Sequence, residues 1–224
     1  MTQTLLAIET ATDACSVALS DGSSITMDFR LAPRQHATLL LPMIQGLLAE
    51  AGKTLTQLDA IAFSRGPGSF TGIRLAASIV QGLAFGADLP VIPVPTLQVL
   101  AQGGIRELGL SQILSLLDAQ VGQLYWGLYQ ADAKGLAEPI VLEQRTTPDA
   151  LTLPPGHWTI LGNGWEKHTA QLPHEMALLP KHLYHPQAYD VALLGIKLLK
   201  SGQYYPAESA IPEYLYGADT WKKM

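Results

Sequence analysis

A glycine-rich loop, Ser64–Arg74 with the sequence SRGPGSFTGIR, constrains the fold of this chain more than any other feature. It follows an apolar strand predicted at Asp59–Ser64 and opens into an apolar helix predicted at Thr71–Phe85. Backbone N–H groups near a helix N-terminus favour anions, so such a loop could hold a phosphate. Glycine and proline also let a strand and a helix meet closely. The loop therefore fits either a phosphate site or a packing device.

The N-terminal part of the chain predicts alternating strands and helices around this loop. Short apolar runs between turn residues indicate strands, and the second run alternates with period two. A longer segment closed by Gly52 indicates a helix. The predicted elements are strands at Leu5–Glu9, Ala14–Ser20 and Ser24–Arg30, a helix at His36–Ala51, the strand and helix on either side of the loop, a strand at Pro90–Pro95 and a short helix from Thr96.

The C-terminal part opens in the same way, with three strands joined by turns, which indicates a coarse internal repeat. Its predicted elements are strands at Ile113–Leu117, Gln123–Tyr129, Ile140–Gln144 and Trp158–Leu161 and a helix at Asp190–Lys200. The glycines of Gln102-Gly103-Gly104 mark the predicted boundary, so residues 1–103 and 104–224 form two α/β lobes. The tail, residues 201–224, packs either on the second lobe or back on the first.

The composition indicates a folded protein, since 48% of the 224 residues are hydrophobic and only 15% are charged. So few charges also indicate that another subunit covers part of the surface. A net charge of −5 argues against a protein that grips nucleic acid unaided. With one cysteine, no basic signal segment and no apolar run as long as a membrane span, we expect a cytoplasmic protein with no membrane contact.

The first long helix carries more apolar positions than one buried face needs, and the second has small residues with isolated polar ones opposite its core stripe. In the first, Leu40, Ile44, Leu47, Leu48 and Ala51 form a core stripe, and Leu39, Met43 and Gly46 form a second stripe. In the second helix, Leu75, Ile79 and Leu83 are predicted to face the core, with Arg74, Ala77, Ser78 and Gln81 opposite. The extra stripes lie either under another part of the same chain or in a helix-on-helix subunit interface.

Candidate chemistry is confined to the first predicted turn and has a simpler alternative. Thr10 and Thr12 could bind phosphate and magnesium beside a carboxylate, or they could cap the turn. Asp118 follows an apolar strand in the second half but is not followed by a Gly/Thr phosphate loop. Cys15 has the phase of a strand interior, which disfavours a nucleophile paired with His36. The spacing of histidines and cysteines matches no dedicated metal site, so we expect no metal and no catalytic residue.

Several motifs occur together in this sequence and point to one family. They are LAIETAT at 6–12, ACSVAL at 14–19, HATLLLP at 36–42 and GPGSFTGIR at 66–74, followed by Tyr125-Trp126, Pro212–Leu215 and Trp221–Lys223. In this combination the chain resembles the TsaB (YeaZ) family. The matching segments run from residue 5 to the C-terminus and are densest before residue 100.

This resemblance implies an α/β architecture, the actin-like ATPase (ASKHA, ribonuclease H-like) duplicate fold, whose two lobes each hold a mixed β-sheet and helices. It also implies a role in making threonylcarbamoyladenosine at position 37 of tRNAs that read codons beginning with A. Members of the family are thought to be non-catalytic partners of TsaD, the transferase that delivers the threonylcarbamoyl group. TsaD-like proteins bind a metal through two histidines four residues apart, whereas here His36 is followed at that spacing by Leu40.

Three positions depart from the family pattern. The usual Asp of the first turn is Glu9, an Arg of the second lobe is Gln120, and an Arg near the C-terminus is Tyr216. These departures weaken any assignment of nucleotide or tRNA binding to those positions, and they leave the two interface helices unchanged.

The leading hypothesis is a structural and activating subunit that forms a heterodimer with a TsaD homologue and a homodimer when alone. A TsaE-like ATPase would complete the complex, tRNA would be contacted only through it, and no cofactor would bind this chain tightly, although ATP or ADP could bind at the complex interface. The alternative is an independent ATP-binding ATPase or phosphotransferase. The residues expected to bind the partner are His36, Leu39, Leu40, Met43, Gly46, Arg74, Ala77, Ser78 and Gln81, and those of a vestigial nucleotide site are Thr10, Thr12, Gly66 and Gly68.

Overall fold

The structure is a computed structural model that describes residues 3–215. Tyr216 and the segment Trp221–Lys223, both singled out in the sequence, lie outside the described residues. The strands are β1 Leu5–Glu9, β2 Ala14–Ser20, β3 Ile25–Leu31, β4 Ala60–Gly66, β5 Val91–Pro95, β6 Gln112–Asp118, β7 Leu124–Ala131, β8 Ala137–Thr146, β9 Thr159–Leu161 and β10 Lys181–His182. The helices are α1 His36–Glu50, α2 Phe70–Ala87, α3 Thr96–Leu108, α4 His174–Ala177 and α5 Ala188–Lys200, with 3-10 turns at Leu55–Gln57, Pro148–Ala150 and Ala207–Ser209.

The chain divides into two compact units, and the division differs from the predicted one. Among the described residues, the first unit holds 3–99 and 186–213, and the second holds 100–185 and begins again at Tyr214. The predicted boundary at Gln102-Gly103-Gly104 lies within α3, and the division between the units falls slightly earlier in the same helix, between Val99 and Leu100. Residues 201–213 of the tail belong to the first unit.

The first unit contains a five-stranded mixed sheet in the order β3-β2-β1-β4-β5. β2 pairs antiparallel with both β1 and β3, while β4 runs parallel to β1 and β5 runs parallel to β4. Every residue of β1 and β2 is buried, so both faces of the sheet centre are covered. Parallel strands need helical crossovers, and α1 and α2 lie in the chain before and after β4.

The two faces of this sheet are covered by helices from distant parts of the chain. Leu6 and Ile8 of β1 lie in a core cluster with residues of α1 and α2. Leu5 and Ala7, which alternate with them, lie in a second cluster with residues of α5. α5 approaches so closely that a Cβ on Gly195 would lie 2.9 Å from Cβ of Ala62. The assignment of this helix to the second lobe was therefore wrong, because the second face of the first sheet needs cover.

The second unit repeats the strand order of the first, as β8-β7-β6-β9-β10. β6 to β8 pair antiparallel, and β9 and β10 continue in parallel from β6. Its crossovers are reduced, because only a 3-10 turn lies between β8 and β9 and α4 has four residues. Two mixed sheets of the same order with flanking helices form the actin-like duplicate fold, as the resemblance implied.

α2 has the length and the mean hydropathy, 1.3, that a membrane-spanning helix would need. A single such helix is weak evidence, because core helices of globular proteins have the same properties. Here α2 lies between the parallel strands β4 and β5, and its residues Ala76, Ala77 and Val80 are buried in the core cluster that it shares with β4.

Candidate functional site

The glycine-rich loop packs against the turn that follows β1. The Ser69 N–H donates to the Ala11 carbonyl over 2.7 Å. Ser69 also begins α2 as its N-cap, because its hydroxyl accepts from the Gly72 N–H over 3.4 Å. Two N–H donors of the loop are therefore used within the protein, which favours the packing role over a phosphate site.

Two of the glycines are required by this contact. A Cβ on Gly68 would lie 2.5 Å from the Ala11 carbonyl oxygen, and a Cβ on Gly72 would overlap the Thr10 carbonyl oxygen. The Thr10 hydroxyl donates to the Gly72 carbonyl over 2.8 Å, which closes the contact from the other side. Backbone thus lies against backbone, and any side chain larger than hydrogen would force the turn and the helix apart.

A segment from the end of the first unit lies along the other side of the loop. The Glu213 N–H donates to the Arg65 carbonyl over 2.8 Å, and the two side chains form an ion pair of 2.5 Å. A Cβ on Gly66 would lie 2.7 Å from the Glu213 carbonyl oxygen. The loop is therefore enclosed by the first turn and by the segment that ends at Glu213.

The residues expected to form a vestigial nucleotide site are near one another but are largely inaccessible. Thr10 and Gly66 are buried, and the Thr10 hydroxyl is committed to Gly72. Thr12 is half-buried, and its hydroxyl accepts from the Ala14 N–H over 3.4 Å. Direct ligand contact by Thr10 and Gly66 is contradicted, because the close packing of the loop covers them.

A pocket of about 370 Å³ lies at the N-terminal ends of α1 and α2. The His36 ring stands in its wall, with Nε2 3.0 Å from the Ala14 carbonyl oxygen. Its charged lining residues are Arg34 and Asp13, which are of opposite sign, and Thr12, Ser69 and Thr71 add hydroxyl groups. This pocket is the accessible part of the region that the sequence singled out.

Glu9 is fully buried beside Ser64, where the sequence predicted an ordinary strand end. Its Oε1 accepts from the Ala11 N–H over 2.5 Å. Burial raises the pKa of Glu9 from 4.5 to about 7, although hydrogen bonds with Ser64 and Ala11 act in the opposite direction. At neutral pH a large fraction of this carboxyl is protonated, which suits a structural group in the core.

We expect Glu9→Gln to stabilise the protein at pH 8 by up to about 3 kcal/mol and to change little at pH 4.5. The pKa of Glu9 in the folded state, about 7, lies above its unfolded value of 4.5, so the folded state holds the proton more tightly. The free energy of unfolding of the wild type therefore decreases as the pH rises from 4.5 to about 7. Glutamine stays neutral, so the variant does not undergo this decrease. Denaturant unfolding at both pH values measures it, with exposed Glu166→Gln as the control; equal stability of Glu9→Gln and wild type at pH 8 would contradict the burial argument.

Cys15 does not have the environment of a nucleophile. It is buried in β2, with Sγ 3.9 Å from Sδ of Met43. Burial, followed by the charge of Glu9, raises the pKa of the thiol to about 11. The thiolate is therefore scarce at neutral pH, and the strand-interior interpretation of Cys15 is confirmed.

Three residues expected to bind a partner are instead part of the core. Leu40, Met43 and Ala77 are at most 3% exposed. Met43 lies beside Cys15 in the core cluster. It therefore belongs to the buried face of α1 and not to a second, exposed stripe. The expectation that Leu40, Met43 and Ala77 contact a partner is therefore wrong, because these side chains are already covered within the first unit.

The remaining predicted contact residues reach the surface to different degrees. Gly46, Arg74 and Ser78 are exposed, while His36, Leu39 and Gln81 are half-buried. Arg74 lies over the ring of Phe70, 3.6 Å from its centre. Gln81 donates to the Glu208 carbonyl over 3.3 Å.

The core face of α2 also differs from the predicted one. The buried residues are Gly72, Ile73, Ala76, Ala77, Val80 and Ala84, whereas Leu75, Ile79 and Leu83 are half-buried. The alanines allow close packing on the sheet, and the larger side chains pack half-buried against the edge of the same core cluster. We define the α2 outer face as the exposed residues Thr71, Ser78, Gly82 and Gly86 with the half-buried Leu75 and Ile79 between them. A Cβ on either of its glycines would meet no atom within 4 Å.

In the second unit, Asp118 holds a loop rather than a ligand. Its Oδ2 accepts from Lys167 Nζ over 2.7 Å, and Oδ1 lies 3.4 Å from Nε2 of the buried His168. Burial alone would raise the pKa of Asp118, but hydrogen bonds with Lys167, the Gln120 N–H and His168 lower it below the usual value. No sequence pattern predicts this cluster, because Lys167 and His168 lie far from Asp118 in the chain. Among residues 3–215 no group of three or more His, Cys, Asp or Glu is arranged to bind a metal.

The chain is similar to proteins of one family over nearly its whole length. Residues 30–216 match a family model described as TsaD, tRNA N6-adenosine threonylcarbamoyltransferase. The tRNA threonylcarbamoyladenosine biosynthesis protein TsaB of Escherichia coli K12 is 38% identical over 98% of this chain and 97% of its own length. The protein of the same name from Haemophilus influenzae is 36% identical over 99% of this chain and 97% of its own.

A solved structure gives the same result. YeaZ from Pseudomonas aeruginosa superposes with a TM-score of 0.90 at 38% identity, covering 95% of this chain and 100% of the other. The relatives are named for a biosynthetic role rather than for a reaction that they catalyse. Sequence, fold and strand order agree, and the chain belongs to the TsaB family.

Proposed function

We propose that this protein acts in forming threonylcarbamoyladenosine at position 37 of tRNAs that read codons beginning with A, as the non-catalytic partner of a TsaD-like transferase. The observation that carries this proposal is the similarity, over almost the full length of both chains, to two proteins named for this biosynthesis. Similarity over a single lobe would leave the function open, since lobes of this fold serve many reactions.

The geometry of the first unit supports a role without chemistry of its own. Thr10 is buried and bonded to Gly72, and Cys15 is buried with a raised pKa. Asp118 in the second unit is bound to Lys167 and His168. These three groups are thus buried or held in structural contacts, whereas an active site keeps its reactive groups accessible to substrate.

The α2 outer face supports a helix-on-helix contact with the partner. Leu75 and Ile79 are half-buried, so part of each apolar side chain remains in water. Gly82 and Gly86 leave space on the same side, which permits a second helix to approach the backbone closely. We infer that this face, together with Leu39 and Gly46 of α1, pairs with a TsaD homologue, and pairs two copies of this chain when the partner is missing.

The rest of the assembly follows from the same proposal. A TsaE-like ATPase joins the pair, and tRNA is held by the complex, which agrees with the net charge of −5 on this chain. ATP or ADP binds at the interface of the complex and not tightly to the isolated chain. The protein works in the cytoplasm.

The test is to co-express the chain with the TsaD homologue of the same cell, purify the complex and measure the modified nucleoside in tRNA with and without this chain. We expect a stable complex, and modification that depends on the chain. Full modification without it, or failure of the two proteins to co-purify, would contradict the proposal.

Calorimetric titration of the isolated chain with Mg-ATP separates this proposal from an independent ATPase or phosphotransferase. A partner subunit is expected to show no micromolar affinity and no turnover. Micromolar binding with hydrolysis by the isolated chain would identify an enzyme instead.

A further inference from the structure

A surface groove lies at the C-terminal end of α2, at the opposite end of that helix from the glycine-rich loop. It has a volume of about 660 Å³ and lies between the end of the helix and the segment 204–208. Its lining comprises Ala84, Phe85, Asp88, Leu89, Pro90, Tyr204, Tyr205, Pro206, Ala207 and Glu208. All of these residues belong to the first unit, so the groove is complete within it.

Aromatic rings of this groove are unusually exposed. Phe85 is 82% exposed, Tyr204 is 50% exposed and Tyr205 is 49% exposed. Large apolar side chains grouped on a surface mark binding sites more often than isolated ones do. The faces of such rings attract cations, because the ring quadrupole is negative there.

The charges around the groove have one sign. Its ionisable lining side chains are those of Asp88, Glu208 and the two tyrosines, and none of the described residues that line it is basic. Within residues 3–215 the side chains of Asp88 and Glu208 form no ion pair or hydrogen bond. Among the residues that the structure describes, these two carboxylates therefore face solvent beside the aromatic rings and pair with no cation.

The end of α2 adds to the same electrostatic preference. The partial charge at a helix C-terminus is negative, and a basic side chain in the last turn commonly balances it. The last turn of α2 has no basic residue, and its C-cap is Asp88, itself an acid. The helix dipole, the two carboxylates and the aromatic rings thus all favour a positively charged group in this groove.

The walls of the groove are held in place by backbone contacts. Tyr205 exchanges two hydrogen bonds with Val91 at the edge of the sheet, of 2.8 and 2.9 Å. Gln81 of α2 donates to the Glu208 carbonyl over 3.3 Å. A preformed site of this kind loses little entropy when a ligand binds.

We propose that this groove binds a lysine- or arginine-bearing segment of a partner polypeptide. The cationic side chain lies against Phe85 and the tyrosine rings and pairs with Asp88 and Glu208. Leu89, Pro90 and Pro206 provide apolar walls beside the charges, which suit the stem and the flanking backbone of a peptide rather than a free polyamine. None of the residues that line this groove belongs to the α2 outer face as defined above.

The test uses the full chain and three fluorescein-labelled pentapeptides of equal length. The sequences are Gly-Lys-Ala-Arg-Gly, a version with glutamine at both basic positions and a version with glutamate at both. We expect anisotropy to show saturable binding of the basic peptide alone, weakened at high salt because the contact is ionic. No saturation by the basic peptide up to about 1 mM, or equal binding of the glutamine peptide, would overturn the proposal.

Substitutions in the groove test whether the basic peptide binds there. The double change Asp88→Asn with Glu208→Gln is expected to weaken the basic peptide about tenfold or more, and Phe85→Ala about threefold to tenfold. Glu50→Gln, which removes an exposed acid at the end of α1, serves as the matched control and should change the affinity less than about twofold. Unchanged binding in the double variant would overturn the assignment to this groove. Spermidine that binds there where the peptide does not would identify a small-amine site and overturn the peptide assignment.

Discussion

Gly72→Ala is expected to destabilise the protein by about 3 kcal/mol or more and to lower its melting temperature by about 10 °C. A Cβ at this position would overlap the Thr10 carbonyl oxygen, which belongs to the backbone of a buried turn. Backbone cannot move aside as a flexible side chain can, so α2 must shift away from β1. Such a shift also breaks the hydrogen bond from the Thr10 hydroxyl to the Gly72 carbonyl. Thermal and denaturant unfolding measure the loss.

Gly82→Ala is the matched control for this prediction, because the same substitution in the same helix meets open space. There the alanine should stabilise the fold by about 0.5–1 kcal/mol through its higher helix propensity. Measuring both variants at two protein concentrations separates helix stability from any effect on self-association. If both substitutions were neutral, or both destabilising to the same extent, the close approach of loop and turn would not explain the glycine at position 72.

The strands of the first sheet could be predicted from the sequence because their signal is local. β1 and β2 have the predicted bounds, since their apolar runs are short and are closed by turn residues. The order of strands and helices also predicted two α/β lobes, but it did not say which strands pair with β1. The place of α5 was not predicted, because the face of the sheet that it covers is formed by strands far earlier in the chain, from β1 to β5.

The faces of the helices were harder to predict, because burial depends on the shape of the partner surface. Periodicity places Leu75 and Ile79 in the core, whereas the sheet accepts the smaller Ala76 and Ala77 at closer range. Met43 is buried because it packs against Cys15 of β2, a residue far from it in the chain. A pattern of large apolar side chains therefore predicts the wrong core face here, because close packing of α2 on the sheet favours small residues.

The candidate site depended still more on contacts between distant residues. Glycines in the loop allowed two interpretations, and the distances to Thr10 and Ala11 decide for packing. The burial of Glu9 beside Ser64 arises only when β1 and β4 pair. Phe85 and Tyr204 line the same groove although they are far apart in the sequence, so no local pattern predicts this groove.

Gly82→Glu is expected to abolish pairing with the TsaD homologue and self-association while leaving the fold intact. The position lies on the α2 outer face with nothing within 4 Å of its Cβ, so the isolated chain accommodates the side chain. A partner helix packed there would meet both its bulk and its charge, and burying an unpaired carboxylate costs several kcal/mol. Leu39→Glu at the edge of α1 should act in the same direction. Met43→Arg would be uninformative as a pairing variant, because this buried side chain is needed for folding.

Size-exclusion chromatography with light scattering gives the self-association of the Gly82→Glu variant, and co-purification gives its affinity for the partner. Circular dichroism and the melting temperature report whether the fold is retained. Lys200→Glu provides the control, since it places the same side chain at the exposed end of α5, away from α2. If the control pairs normally and Gly82→Glu does not, the modified nucleoside in tRNA should fall with the loss of the complex. If a folded Gly82→Glu protein still forms the heterodimer, the interface lies on another surface, because no helix can pack closely over a buried glutamate there.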